Sequence, residues 1–142
     1  MAKHLVAYID GACRGNPGES GVGVFFQDKK GNPLFKAYRY IGPATNNIAE
    51  YRALILALEQ AQKLKAKYLT LYSDSQLIVN QIRGEYKVKD AKLKPLLRKA
   101  LSLINGFQKM EIERIERKEN QLADSLANRA IDTKGEDELF LR

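Results

Sequence analysis

The sequence predicts an α/β domain with one mixed sheet, an antiparallel meander joined to parallel strands, flanked by helices. Three observations predict it. Three short apolar, strand-like segments come first, separated by turn signals. After them, helical and strand-like segments alternate, as crossover connections between parallel strands require. The length of 142 residues suits one domain with one core. The expected order is three strands, helix, strand, two helices, strand, helix, with five strands in the sheet.

Leu5–Ile9 is an apolar run ending at Asp10-Gly11, read as a strand stopped by a turn. Arg14-Gly15-Asn16-Pro17-Gly18 is a dense loop signal. Val22–Gln27 is a second strand, Lys29–Asn32 a turn, and Leu34–Ile41 a third strand. A helix follows over about Asn47 to Leu64, where Ala49, Ala53, Ala57 and Ala61 recur every four residues and let the helix lie close on a sheet. Tyr68–Tyr72 is a fourth strand ending at Ser73-Asp74-Ser75, and Gln76–Ile82 a short helix. Gly84–Asp90 is a polar, basic connection. Leu93–Ile104 has helical apolar spacing and stops at Asn105-Gly106. Met110–Ile115 is the fifth strand, and Gln121–Ile131 the last helix. Residues 1–132 are taken as the domain and 133–142 as a C-terminal tail, polar and acidic before Leu139-Phe140-Leu141.

A hydrophobic content of 44% with 29% charged residues argues for a globular chain and against disorder or fibre. Apolar runs such as Gly21–Phe26 are too short to span a bilayer, so no membrane role is expected. Met1-Ala2-Lys3-His4 carries no signal-peptide pattern. The single cysteine, Cys13, has no partner for an internal disulfide, which fits a reducing compartment, and the cytoplasm is expected. No base stands near Cys13 to make it a nucleophile. A net charge of +7 favours a polyanionic partner, because phosphate contacts release counterions. A monomer is expected.

Four carboxylates fall at equivalent places in this scheme. Asp10 follows the first strand and Asp74 the fourth; if those strands are parallel neighbours, the two aspartates sit side by side at their carboxyl ends. Glu50 lies near the start of the long helix, and Asp124 early in the last one. Each has a bland alternative: Asp10-Gly11 as a turn, Asp74 as a helix cap, Glu50 in a capping box with Asn47, Asp124 favouring a helix start. Together they point to one acidic spot. Clustered carboxylates repel unless compensated, and the fitting compensation is a hard divalent cation, Mg²⁺ or Mn²⁺. Two such ions would serve phosphodiester hydrolysis without a His or Cys ligand.

At these residues the chain resembles the ribonuclease H type 1 family. The matching blocks are Tyr8-Ile9-Asp10-Gly11 with Asn16-Pro17-Gly18, Thr45-Asn46-Asn47-Ile48-Ala49-Glu50-Tyr51, Ser73-Asp74-Ser75-Gln76, and Asn120-Gln121-Leu122-Ala123-Asp124-Ser125-Leu126-Ala127. The resemblance covers roughly residues 4–131 and implies a ribonuclease H-like fold. It further implies that Asp10, Glu50, Asp74 and Asp124 bind two metal ions and catalyse endonucleolytic cleavage of the RNA strand of an RNA–DNA hybrid, leaving 3′-hydroxyl and 5′-phosphate ends. It implies that Asn16, Asn46, Asn47 and Gln76 read RNA 2′-hydroxyls, a task amides suit because they donate and accept. Thr45 matches a contact to the DNA-strand phosphate.

The sequence departs from the family pattern in three places. Pro43 replaces an arginine often found two residues before Thr45, which keeps double-stranded RNA open as a substrate. Arg117-Lys118-Glu119-Asn120 lacks the histidine many bacterial members carry there; Lys118 and Glu119 are the nearby ionisable groups, and His4 opens the first strand instead. Arg83–Lys92 is too short for the basic protrusion of many members, so the resemblance is to compact ones, with Lys87, Lys89, Lys92, Lys94 and Arg98 as the available cations. An inactive hybrid-binding module is the remaining alternative. Arg14, in the loop near Asp10, is a candidate phosphate contact.

Overall fold

The computed structural model describes residues 3–141. Its strands are β1 (His4–Gly15), β2 (Gly18–Asp28), β3 (Pro33–Ala44), β4 (Tyr68–Ser73), β5 (Lys109–Arg114) and β6 (Glu136–Phe140). Its α-helices are α1 (Asn46–Lys63), α2 (Gln76–Ile82), α3 (Lys94–Ile104) and α4 (Gln121–Thr133), and one 3₁₀ turn, Arg117–Glu119, leads into α4. Among the described residues, six strands form one sheet in the order β5-β4-β1-β2-β3-β6. The meander is antiparallel, and β1, β4 and β5 run parallel, as the crossover pattern requires.

The sheet has six strands, not five. The sixth lies in the C-terminal segment read as a tail, and Glu136–Phe140 pairs antiparallel with β3 from Arg39↔Glu136 to Phe35↔Phe140. Its acidic run hides strand character, but an edge strand tolerates charge because it needs only one hydrogen-bonded neighbour. Phe140 anchors it by packing on Phe35, with ring centroids 4.9 Å apart. The turn from α4 is made by Lys134 in the left-handed region, φ 48°.

Nor does β1 stop at Asp10-Gly11. β2 pairs with it all the way to Gly15↔Gly18, so the dipeptide stays extended. Only the parallel partner ends there: the last β1–β4 pair is Ile9↔Ser73, which places Asp10 and Asp74 next in line on neighbouring strands.

Helix α1 lies on one face of the sheet, with Ala49, Ala53, Ala57 and Ala61 fully buried. The approach is so close that a Cβ on Gly11 would sit 2.4 Å from the Ala49 carbonyl carbon. Helix α3 packs outside α1, and α4 covers the other face, chiefly over β2. No helix among the described residues is long and apolar enough to cross a membrane.

The crossing of α4 over β2 depends on Gly23, where a Cβ would meet Ala123 O at 2.3 Å and Ala127 N at 2.7 Å. Both are backbone atoms and cannot rotate away. Gly23→Ala is therefore expected to lower stability by about 2–3 kcal/mol, as forced overpacking does. Thermal unfolding would read this as a melting temperature lower by roughly 5–10 °C. An unchanged melting temperature would mean that α4 shifts freely.

Candidate metal centre

Asp10, Glu50 and Asp74 each present a carboxylate oxygen, and the three oxygens lie within 4.8 Å of one another. Asp10 comes from the middle of β1 and is only 6% exposed. Glu50 comes from one turn into α1, and its Oε1 accepts a hydrogen bond from Gly11 N at 2.8 Å. Asp74 follows β4 directly.

The bland readings of these residues fail locally. Thr45 caps α1, accepting from Ile48 N, so Glu50 has no capping box with Asn47. Ser75, not Asp74, caps α2.

Asp124 lies one turn into α4, is exposed, and stands beside the triad rather than within it. Its charge still acts on both Asp10 and Glu50. Its Oδ1 accepts from Asn128 Nδ2 at 3.2 Å, and Asn128 Oδ1 in turn accepts from Arg14 Nη2 at 3.2 Å. Arg14 also pairs with Asp132 at 2.6 Å. The arginine considered above for a phosphate contact is thus engaged in holding the β1–β2 turn against α4.

The electrostatics of the triad favour a cation. Burial first, then the charges of Glu50 and Asp74, then the side chain of Asp124 through hydrogen bonding and charge, push the Asp10 carboxyl up to about 9. Burial raises Glu50 to about 8 and Asp74 adds to it, while the Gly11 N–H and the Arg117 charge oppose the rise. Hard oxygen donors in like-charge contact, from three rigid elements, fit a divalent ion of the Mg²⁺ or Mn²⁺ type.

The amides lie on, or next to, the elements that supply these carboxylates. Asn16, at the β1–β2 turn, accepts from Asn46 N through its Oδ1 at 3.1 Å, tying that turn to the start of α1 where Thr45 and Asn47 also lie. Gln76 opens α2, exposed, two residues after Asp74. Pro43 is exposed near the end of β3. Glu119 is locked in a reciprocal capping box with Glu116, whereas Lys118 takes part in no ion pair among the described residues. His4 hydrogen-bonds Thr70 Oγ1 at 2.8 Å, far down β1 from the carboxylates. The Cys13 thiol lies against backbone carbonyls, including Ala44 O at 3.0 Å.

Sequence reasoning passed over Asn120. It is 1% exposed, and its Nδ2 donates to Ile9 O at 2.8 Å and to Asp74 Oδ2 at 3.2 Å. One amide thus links β1, Asp74 and the start of α4. Its position at the head of the Asn120–Ala127 block was the available signal. Asn120→Leu is expected to release Asp74 and weaken Mg²⁺ binding by roughly 10–100-fold, the usual effect of losing an orienting hydrogen bond behind a metal ligand. Calorimetric titration with Mg²⁺ would read it, and unchanged affinity would show that Asp74 is held without it.

A mixed sheet in which two aspartates stand just past the last parallel β1–β4 pair, with a glutamate supplied by the first crossover helix, defines an α/β domain built around a carboxylate cluster that could hold a metal ion. The model of the reverse transcriptase-like family matches residues 8–130. The ribonuclease HI of Halobacterium salinarum is 41% identical over 126 residues, covering 89% of this chain and 63% of that protein. The bifunctional protein Rv2228c of Mycobacterium tuberculosis is 41% identical over 129 residues, but the chain spans only 35% of its length. Among solved structures, the Halobacterium salinarum RNase H1 superposes with a TM-score of 0.89 at 40% identity, covering 92% of this chain and 98% of that one. LC11-RNase H1, solved in complex with an RNA/DNA hybrid, superposes with a TM-score of 0.88 at 41% identity, covering 92% and 98%. The chain belongs to the ribonuclease H type 1 family.

Proposed function

We propose that this protein is an endoribonuclease that hydrolyses the RNA strand of RNA–DNA hybrids with two divalent ions, Mg²⁺ or Mn²⁺, leaving 3′-hydroxyl and 5′-phosphate ends. The observation that carries the reading is the convergence of Asp10, Glu50 and Asp74 on one point. Relatives of the same family named as ribonucleases H, one of them solved with a hybrid, support it.

When bound, the ions supply an activated water and charge stabilisation at the leaving oxygen. Asp10 would hold them from within β1, Asp74 from just past the end of β4, and Glu50 from α1. Asp124, at the exposed rim, would complete the second position. Asn120 keeps the Asp74 carboxylate aimed at the centre. Asn16, Asn46, Asn47 and Gln76 would bind ribose 2′-hydroxyls, which select the RNA strand, and Thr45 would meet the DNA-strand phosphate. Pro43, where family members often carry an arginine, leaves that phosphate contact weaker and favours a second reading in which double-stranded RNA is also cut.

One labelled RNA, presented alone, paired with DNA and paired with RNA, tests the reading. Metal-dependent cuts in the hybrid, with products that ligate only through a 5′-phosphate, are expected. Equal cutting of the RNA duplex would establish the broader nuclease. Hybrid binding with no cutting would overturn catalysis and leave a binding module.

A further inference from the structure

The face of the sheet that carries the aspartates is only partly covered. Side chains alternate along β1 and β4, so Leu5, Ala7, Ile9, Leu69 and Leu71 enter the core beneath α1. The intervening residues stand on the other face in matched pairs: His4↔Tyr68, Val6↔Thr70 and Tyr8↔Tyr72, with Asp10 and Asp74 continuing the series. Helix α4 covers this face over β2, β1 and β3 and leaves the β4–β5 side open. There Tyr68 is 36% exposed, Tyr72 is partly exposed, and Lys109 of β5 is exposed.

Two features mark the open area. The first is a run of aromatic rings: Tyr8 lies 5.2 Å from Tyr72 and 6.0 Å from Phe25, and His4 lies 6.1 Å from Tyr68. The second is charge. Lys3, Lys29 and Lys109 line a groove of about 630 Å³ with His4, Tyr68 and Thr70. None of these three lysines takes part in an ion pair among the described residues. Glu113, on the same face, is held by Arg83 at 3.0 Å, which leaves Glu111 as the groove's uncompensated acid.

We propose that this open sheet face is a second nucleic-acid surface, which takes an unpaired strand flanking the duplex at the carboxylates. The adjoining duplex rests on the nuclease reading; the surface itself does not. Rings on a sheet accept bases of any identity, and lysines beside them take the phosphates. A double helix keeps its bases stacked inward and has none to offer these rings. Asn120 and Glu119 adjoin both regions: Asn120 bonds Asp74, and the two residues line a small hollow with Tyr8 and Phe25. A strand leaving the site therefore meets the aromatic run first and the lysine groove last.

Fluorescence anisotropy of a short labelled RNA of mixed sequence, with the full chain in EDTA, measures this surface without cleavage. The triple variant Lys3→Glu, Lys29→Glu, Lys109→Glu should weaken binding at least about tenfold and flatten the logarithmic salt dependence by roughly 2, the counterion loss for three phosphates on a single strand. A control of equal net charge, Lys63→Glu, Lys65→Glu, Lys99→Glu, should change it far less. Tyr68→Ala should weaken binding, and Glu111→Lys should tighten it. The groove triple should cut a blunt hybrid normally but lose any KM advantage for a hybrid with an RNA overhang. Equal weakening by both triples, or no affinity of the wild type for the single strand, would overturn the proposal. Single-strand binding with these variant effects, but no hybrid cleavage, would uphold it and sink the nuclease reading instead.

Discussion

Asp10→Asn is expected to lower the rate of hybrid cleavage by at least about a thousandfold while leaving the fold intact. Asp10 is the most buried of the carboxylates, and its carboxylate oxygen lies within 4.8 Å of those of both Glu50 and Asp74. Asparagine keeps the shape but removes the charge that would hold two ions. A loss of that size corresponds to about 4 kcal/mol of transition-state stabilisation, which is within what metal charge supplies. Single-turnover kinetics at saturating Mg²⁺ would measure it. The same substitution at Asp124 should cost less, because that residue is exposed and stands outside the triad. Equal losses at the two positions would mean that α4 closes onto the triad in the complex.

The second large effect concerns stability without metal. Asp10 is held up to about 9 and Glu50 to about 8, by burial first and neighbouring carboxylates after it. Groups with raised folded pKa values contribute stability that is fully present below their unfolded values near 4 and is lost as pH rises through the folded ones. The metal-free protein should therefore lose stability steadily between about pH 4 and pH 9. At pH 8 the loss should reach about 2–3 kcal/mol, because paired titration and local hydration reduce the full electrostatic cost. Asp10→Asn should be more stable than the wild type in EDTA at pH 8, and the difference should vanish near pH 4. Millimolar Mg²⁺ should raise the wild-type melting temperature and leave the variant nearly unchanged. Stability that rises with pH in EDTA would contradict the repelling cluster.

Much of the fold is legible in the sequence because the period of the apolar residues is strong. The four-residue alanine spacing of α1 and the alternating strands leave little choice, and Gln76–Ile82 is reproduced residue for residue. What escapes is decided by partners distant in the chain. Asp10-Gly11 has the composition of a turn, but β2 runs beside it and keeps it extended. Glu136–Phe140 has the composition of a polar tail, and only the free edge of β3 makes it a strand. The triad was legible because Asp10 follows the apolar run of β1, Glu50 lies near the start of a readable helix, and Asp74 directly follows a readable strand. Asn120 was not, since its value lies in reaching Ile9 O and Asp74 across the fold. The same holds for the link from Arg14 through Asn128 to Asp124.

The most direct test is single-turnover cleavage of an RNA–DNA hybrid labelled on the RNA strand, in Mg²⁺ and in EDTA, by the wild type and by Asp74→Asn. Cleavage of the RNA strand by the wild type in Mg²⁺ alone, lost in EDTA and in the variant, is the predicted result. Cleavage that survives in EDTA, or in Asp74→Asn at the wild-type rate, would contradict a metal centre built on these carboxylates.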